Sequence, residues 1–171
     1  MFIDSSTKSL KGILLHNGND VASLPVAHSV TMKETYESMK TVLNALKYDS
    51  HQWLLCGDLK VIAILLGQQG GYTKYPCFIC LWDSRADELH YKQRKWPTRT
   101  DMIPGSHNIK AVPLVPRHKV LLPPLHIKLG LMKLFINALC QEADAFRYLV
   151  QKFSHISDAK LKAGVFVGPD I

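Results

Sequence analysis

The sequence lacks any long apolar stretch. Its longest unbroken apolar run, from Val61 to Leu66, is far shorter than the ~20 residues that a membrane-spanning helix needs. It also lacks a recognisable secretory signal peptide, because Asp4 and Lys8 interrupt the segment that would have to be apolar. These absences predict a chain with no membrane partner, located in the nucleus or the cytoplasm.

Cysteine is scarce, with 4 residues in a chain of 171. So few cysteines in an intracellular chain argue against a disulfide scaffold. Cys77 and Cys80 are separated by two residues, a spacing that brings two thiolates together and supplies half of a tetrahedral zinc site. The sequence therefore predicts a structural Zn²⁺ ion at this pair, and a redox-active pair is the alternative.

Acidic residues are nearly absent from residues 92–133, where Asp101 is the only acid. The formal net charge of the chain is +7, and this stretch holds the whole excess. Such a segregated patch predicts contact with a polyanion. The expected phosphate contacts are Lys92, Arg94, Lys95, Arg99, Arg117 and Lys119. A solvated surface loop in a mildly basic protein is the alternative.

Hydrophobic patterning predicts an α/β unit at the start of the chain. Residues 1–4, 9–16 and 21–28 are typical of three strands, and Pro25 favours an edge position or a bulge in the third. A helix is expected over 32–47, where Thr31 and Glu34 have capping-box spacing. A buried strand is expected over 51–57.

The remaining chain divides into an insertion and a helical segment. A short helix over 60–66 leads into residues 68–123, which are basic, interrupted by prolines and without a strong period. Helices are then expected over 124–139, 142–152 and 157–164. The predicted organisation is a core over 1–67, an insertion over 68–123 and a helical segment over 124–171.

Asp4 and Asp58 are the candidate catalytic residues. Three antiparallel strands, a helix and a buried parallel strand form the front half of an RNase H-like fold, in which the first and last of these strands are neighbours. Two acids on those strands would converge, as Mg²⁺ or Mn²⁺ sites for phosphoryl transfer require. The alternative is that Asp58 caps the following helix and Asp4 begins a turn with Ser5 and Ser6.

A zinc site at Cys77 and Cys80 needs two further ligands. Of the histidines, His126 is the best placed, at the start of the helix expected over 124–139, whereas His90 and His107 are loop residues. The alternative for His126 is a capping or surface histidine. Aromatic residues of the insertion are interleaved with Lys and Arg, which is typical of stacking and phosphate contacts but also of a small metal-supported core.

Three blocks of the sequence carry a resemblance that covers essentially the whole chain. They are FIDSSTKSLKGILLHNG, CGDLKVIAILLGQQGGYTKYPCFICLWDSR and LPPLHIKLGLMKLF. The chain resembles a family of invertebrate proteins derived from DNA transposons. Its order of features is similar to that of DDE/D transposases such as the Transib, hAT and CACTA groups, in which the second catalytic Asp precedes an insertion that opens with a cysteine knuckle.

The resemblance implies that Asp4 and Asp58 correspond to the first two catalytic acids, and that DNA is the partner. It also implies a third acid, usually Glu, on a helix after the insertion, and Glu142 and Asp144 follow too soon. The chain is therefore expected to be a truncated front half that is inactive alone, partnered by a second copy or by a missing C-terminal half. The alternative is a domesticated, non-catalytic, zinc-supported module that binds nucleic acid or protein.

Overall fold

The computed structural model describes residues 1–5, 9–18, 20–51, 53–153, 156–157 and 159–160. It has a mixed α/β fold, as predicted, and divides into two units, Met1–Leu122 and Pro123–Ile171. The strands are β1 (Phe2–Ser5), β2 (Leu10–Leu14), β3 (Leu24–Ser29) and β4 (Cys56–Gly57). The helices are α1 (Tyr36–Ala45), α2 (Tyr48–His51), α3 (Leu59–Leu65), α4 (Asp87–His90), α5 (Pro124–Ala138) and α6 (Asp144–Lys152), with a 3-10 turn at Arg117–Lys119.

Within the described residues, four strands form a mixed sheet in the order β3-β2-β1-β4. β1 pairs antiparallel with β2, and β2 pairs antiparallel with β3. β4 pairs parallel with β1, with Phe2 opposite Cys56 and Ile3 opposite Gly57. The prediction that the first strand and the strand after the helix are neighbours is therefore confirmed.

β3 is an edge strand of this sheet, and it is also bulged. Gly12 of β2 pairs with Ala27, whereas Ile13 pairs with Pro25, so the register shifts at Val26. Proline has no N–H to donate to a ladder and is confined to edges and bulges. Both features predicted from Pro25 are confirmed.

β4 is much shorter than the strand predicted over 51–57. His51 belongs to α2, Gln52 is outside the described residues, and Leu55 forms an isolated parallel bridge with Val120. Backbone bonds from Leu55 N to Lys119 O (2.7 Å) and from Leu121 N to Leu55 O (2.7 Å) hold this bridge. Leu55 is fully buried whereas Leu54 is 49% exposed, and only Cys56 and Gly57 of the predicted strand pair with β1.

The amino-terminal cap of α1 also differs from the prediction. Thr35, rather than Thr31, is the cap, and its hydroxyl accepts a hydrogen bond from Ser38 N at 3.2 Å. Thr31 lies in a turn in which the Ser29 hydroxyl accepts from Thr31 N and Met32 N. The Thr31–Glu34 capping box is therefore wrong, and the side chain of Glu34 is free to bind elsewhere.

One hydrophobic cluster fills the space between the sheet, α1 and α3. It includes side chains from β1, β2 and both helices and extends to Phe78, Val115 and Val120 of the insertion. Burial of each such side chain stabilises the fold by about 1.5–3 kcal/mol. Its most deeply buried members are Ile3, Leu10, Met39, Leu55, Val61, Ile62, Leu65 and Leu66.

The second unit contains α5 and α6, which match the helices predicted over 124–139 and 142–152. Ile136 is 2% exposed and packs with Leu139, Phe146, Leu149 and Val150. The helix predicted over 157–164 lies mostly outside the described residues. No helix in the described part of the chain is long and apolar enough to cross a membrane.

Candidate functional site

Asp4 and Asp58 lie at the same edge of the sheet. Ile3 of β1 pairs with Gly57 of β4; Asp4 is the next residue of β1, and Asp58 directly follows β4. Ile3 is buried whereas Asp4 is exposed, because successive side chains of a strand point to opposite faces. In open α/β sheets, ligands bind at the carboxyl ends of parallel strands, which is where both acids lie.

Gly57 allows α3 to begin directly after β4. A Cβ atom at this position would lie 2.9 Å from the carbonyl oxygen of Ile3 and 2.9 Å from Cγ1 of Val61. A contact that short would push β1 and α3 apart. The absence of a side chain at Gly57 therefore keeps Asp58 at the end of β1.

The side chain of Asp58 caps α3. Its Oδ1 atom accepts a hydrogen bond from Val61 N at 2.7 Å. The capping role considered as an alternative is therefore observed. An ionised carboxylate has two oxygens and about four acceptor positions, so a cap formed through Oδ1 is compatible with a ligand on the other oxygen.

Glu34 is a buried acid that the sequence analysis assigned to the wrong role. Its side chain is 4% exposed. The Ser5 hydroxyl donates to Glu34 Oε1 at 2.6 Å, and Lys60 Nζ forms an ion pair with Oε2. Ser5 follows Asp4 and Lys60 is two residues after Asp58, so Glu34 joins the two strand ends.

Lys60 brings a fixed positive charge to this edge of the sheet. Its hydrogen bond to Glu34 and the negative charge of Glu34 raise the pKa of Lys60, and Asp58 adds to the rise. Lys60 is therefore protonated at neutral pH and neutralises the buried carboxylate. Within the described ranges, no three His, Cys, Asp or Glu side chains are close enough to hold a metal ion.

The second candidate site is the cysteine pair of the insertion. The Sγ atom of Cys77 accepts hydrogen bonds from the backbone N–H groups of Ile79 and Cys80, each at 3.4 Å. These two bonds fix the position of the Cys77 sulfur. Burial raises the pKa of the Cys80 thiol, and its hydrogen bond with Cys77 raises it further.

Arg99 is the buried centre of the same region. It is 1% exposed and donates to the carbonyl oxygens of Cys77 (3.0 Å, from Nε), His107 (3.1 Å, from Nη1) and Tyr75 (3.1 Å, from Nη2). Burial lowers the pKa of Arg99, and the cysteines Cys77 and Cys80 oppose that shift. This placement corrects the prediction that Arg99 contacts phosphates, because all three guanidinium nitrogens bind the backbone inside the protein.

The other predicted phosphate contacts differ in exposure. Lys92, Arg94 and Lys95 are exposed, whereas Arg117 and Lys119 are half-buried in the 3-10 turn beside Leu55. No acid in the described part of the chain forms an ion pair with any of these five residues. The three exposed side chains are thus the ones available to a polyanion.

The histidines considered as zinc ligands lie in different environments. His126 is exposed in the first turn of α5, in the second unit. Nε2 of His90 lies 2.7 Å from the carbonyl oxygen of Asp83, and its Nδ1 lies 3.7 Å from Asp87. His107 is exposed, and its ring packs edge-on against Tyr75.

The fold and the two sites define an α/β protein with acids at adjoining strand ends and a cysteine pair in an insertion. Residues 1–115 match the family described as "Domain of unknown function (DUF8703)", and this match covers more than half of the chain, which therefore belongs to that family. Residues 124–171 match a second family, described as "Domain of unknown function (DUF8704)". No curated protein and no solved structure shows significant similarity to the chain.

Proposed function

We propose that the chain carries the first part of an RNase H-like catalytic core derived from a DNA transposase. The observation that carries the proposal is the strand order β3-β2-β1-β4, with β4 parallel to β1 and an aspartate at the end of each. Asp4 and Asp58 would bind a divalent cation, and the exposed basic residues of the insertion would bind DNA.

The donor set at this edge fits Mg²⁺ or Mn²⁺, which take carboxylate oxygens as ligands. When bound, such an ion would stabilise negative charge on a phosphoryl group during strand cleavage or transfer. Asp4 and Asp58 would orient the ion, and Asp58 would hold its own position through its bond to Val61 N. Glu34 is already neutralised by Lys60, so we propose that turnover requires a further acid and that this chain alone does not cleave DNA.

Mn²⁺ binding tests the proposed catalytic site. We expect Asp4→Asn and Asp58→Asn each to weaken Mn²⁺ binding at least about 10-fold, because each variant removes one of the two negatively charged ligands of the ion. Free Mn²⁺ is measured by electron paramagnetic resonance. Asp49→Asn, which neutralises an exposed acid of α2, should leave the affinity unchanged.

The variants of Asp58 separate metal binding from helix capping. Asn caps helices about as well as Asp, so Asp58→Asn should keep the wild-type urea midpoint, whereas Asp58→Ala should lose about 1 kcal/mol. Equal Mn²⁺ affinity for wild type and Asp58→Asn would refute the metal role. Robust Mg²⁺-dependent cleavage by the chain alone, abolished by Asp58→Asn, would instead refute its proposed inactivity.

We also propose that Cys77 and Cys80 bind a structural Zn²⁺ ion. Two backbone N–H groups donate to Cys77 Sγ, and Arg99 Nε donates to the carbonyl oxygen of Cys77, so the position of this cysteine is fixed, which supports the proposal. Sulfur ligands at this spacing fit zinc, and His126 is the candidate for a third ligand. The ion would cross-link the start of the insertion, which contributes few residues to the hydrophobic core.

Zinc content tests this proposal directly. The purified chain is expected to contain about one Zn²⁺ by mass spectrometry of the elements, and Cys77→Ser and Cys80→Ser should each lose it. Cys140→Ser is the matched control, because Cys140 is an exposed thiol in the second unit. Wild-type protein without zinc would end the zinc proposal and favour a redox pair, and full zinc affinity in His126→Ala would remove His126 as a ligand.

A second candidate function is a non-catalytic module that binds nucleic acid. It is favoured by the side-chain contacts at the sheet edge, where Asp58 caps a helix and Glu34 pairs with Lys60. DNA binding that falls with salt and survives both Asp4→Asn and Asp58→Asn would support it when Mn²⁺ binding is also absent. No DNA binding at low salt would exclude it.

A further inference from the structure

A loop within the insertion projects from a closed base. Backbone hydrogen bonds join Leu81 N to Pro97 O (2.8 Å) and Arg99 N to Ile79 O (2.9 Å), and Cys80 forms an antiparallel bridge with Thr98. The two ends of residues 79–99 are therefore paired with each other, and this segment is called the arm below. The side chain of Arg99 anchors that place to the carbonyl oxygens of Tyr75 and His107.

An aromatic stack stiffens the interior of the arm. The rings of Trp82 and His90 lie 4.7 Å apart with an interplanar angle of 27°, and Trp96 packs edge-on against His90 at 6.3 Å. The bond between His90 and the carbonyl oxygen of Asp83 fixes the ring further. Residues 91–95 lie between His90 and Trp96, so the stack fixes both ends of this segment.

Tyr91 directly follows His90, in the segment between His90 and Trp96, and is almost fully exposed. Its relative accessibility is 97%, although tyrosine normally covers part of its ring against neighbours. Lys92, Arg94 and Lys95 follow within four residues, are exposed and have no ion-pair partner in the described part of the chain. By contrast, Lys74 pairs with Asp83 at 3.4 Å beside the base of the arm.

We infer that the surface formed by Tyr91, Lys92, Arg94 and Lys95 binds unpaired nucleic acid. An exposed aromatic ring can stack on a base only where the base face is accessible, which is the case in single strands and not inside a duplex. Cations that flank the ring match the phosphates on either side of a stacked base. The acids of α4, Asp87 and Glu88, lie before His90 in sequence, whereas residues 91–99 include basic residues and no acid.

This inference rests on the proposed function in taking DNA as the polymer, but it needs neither Asp4 nor Asp58. The test therefore uses Asp58→Asn protein, without magnesium and without a chelator that would remove zinc. Fluorescence anisotropy compares a thymidine single strand of about 16 nucleotides with a duplex of the same length. Tyr91→Ala is expected to weaken single-strand binding about 5- to 100-fold and to leave duplex binding unchanged.

Three further variants sharpen the result. Tyr91→Phe should keep single-strand affinity within about 2-fold, because it retains the ring that stacks. Replacing Lys92, Arg94 and Lys95 together by Gln should reduce the slope of log affinity against log salt by about 2 for the single strand. Tyr72→Ala removes an equally exposed tyrosine outside the arm, and Lys110→Gln removes an exposed cation outside it, and both should bind like wild type.

Each contrary outcome overturns the inference in a recognisable way. Equal losses of single-strand and duplex affinity in Tyr91→Ala would show that Tyr91 does not distinguish unpaired from paired DNA, and would overturn the inference. Equal effects of Tyr72→Ala and Tyr91→Ala would remove the assignment to the arm, and no single-strand binding at low salt would exclude the site altogether. None of these outcomes changes Mn²⁺ binding by Asp4 and Asp58, so a failure here is distinct from a failure of the proposed catalytic core.

Discussion

Arg99→Met is expected to lower the free energy of unfolding by about 3–5 kcal/mol. The side chain is 1% exposed and donates to the carbonyl oxygens of Tyr75, Cys77 and His107. Methionine fills much of the same volume but donates nothing. Buried acceptors without a donor cost about 1–3 kcal/mol each, although Gln68 Nε2 also donates to Tyr75 O at 2.9 Å and softens one loss.

Urea denaturation measures this loss, and two variants provide its controls. Arg94→Met removes an exposed arginine of the arm and should change stability by no more than about 0.5 kcal/mol. Arg99→Lys keeps the charge but cannot direct donors to three separate carbonyls, so it should lie between wild type and Arg99→Met. A midpoint for Arg99→Met equal to that of Arg94→Met would contradict the role of Arg99 as a buried anchor.

The position of Arg99 also connects the cysteine pair to the arm. The guanidinium binds the carbonyl oxygen of Cys77, while the backbone N–H of the same arginine closes the base of the arm on Ile79. A loss of the side chain would release the chain on both sides of the knuckle. If the proposed zinc ion is present, Arg99→Met should therefore lower zinc affinity as well as stability.

Much of the core could be predicted because its signals are local. The hydrophobic patterning of the strands and the proline of β3 are each visible within a few residues, and the sheet contains these strands near their predicted places. β4 was predicted too long, since Leu55, the buried residue before Cys56, forms a bridge with Val120, more than 60 residues away in sequence, and does not pair with β1. An apolar pattern reports burial but does not identify the partner strand.

In the candidate sites, too, residues with a local sequence signal could be predicted, and residues whose partners are distant in sequence could not. Asp58 could be found because it ends an apolar run before a helix, a local signal. Glu34 could not, because its partners Ser5 and Lys60 are distant in sequence and meet it only when β1, α1 and α3 pack together. Arg99 was grouped with the exposed cations for a similar reason: charge alone does not distinguish a phosphate contact from a buried side chain whose partners are backbone carbonyls.

Gly67→Ala is expected to be the most damaging of three matched glycine substitutions. Gly67 ends α3 with a φ of +63°, and a Cβ atom there would lie 2.1 Å from the carbonyl oxygen of Ala111. The carbonyl of Gly67 accepts from Lys110 N (2.7 Å) and Ala111 N (3.1 Å), so this close approach holds the end of the insertion against the core. Left-handed backbone costs a residue with a side chain about 1–2 kcal/mol, and the displacement of Ala111 should raise the total above about 3 kcal/mol.

Substitutions at Gly71 and Gly70 separate the cost of left-handed backbone from the cost of the steric contact with Ala111. Gly71 has a φ of +82° but no atom within 4 Å of a Cβ, so Gly71→Ala should cost only the strain of about 1–2 kcal/mol. Gly70 has neither restriction, and Gly70→Ala should be neutral or stabilise by up to about 1 kcal/mol through the unfolded state. The order of urea midpoints should therefore be Gly70→Ala, Gly71→Ala, Gly67→Ala, from highest to lowest. A midpoint for Gly67→Ala equal to that of Gly71→Ala would mean that the insertion tolerates displacement from α3 and does not depend on the contact between Gly67 and Ala111.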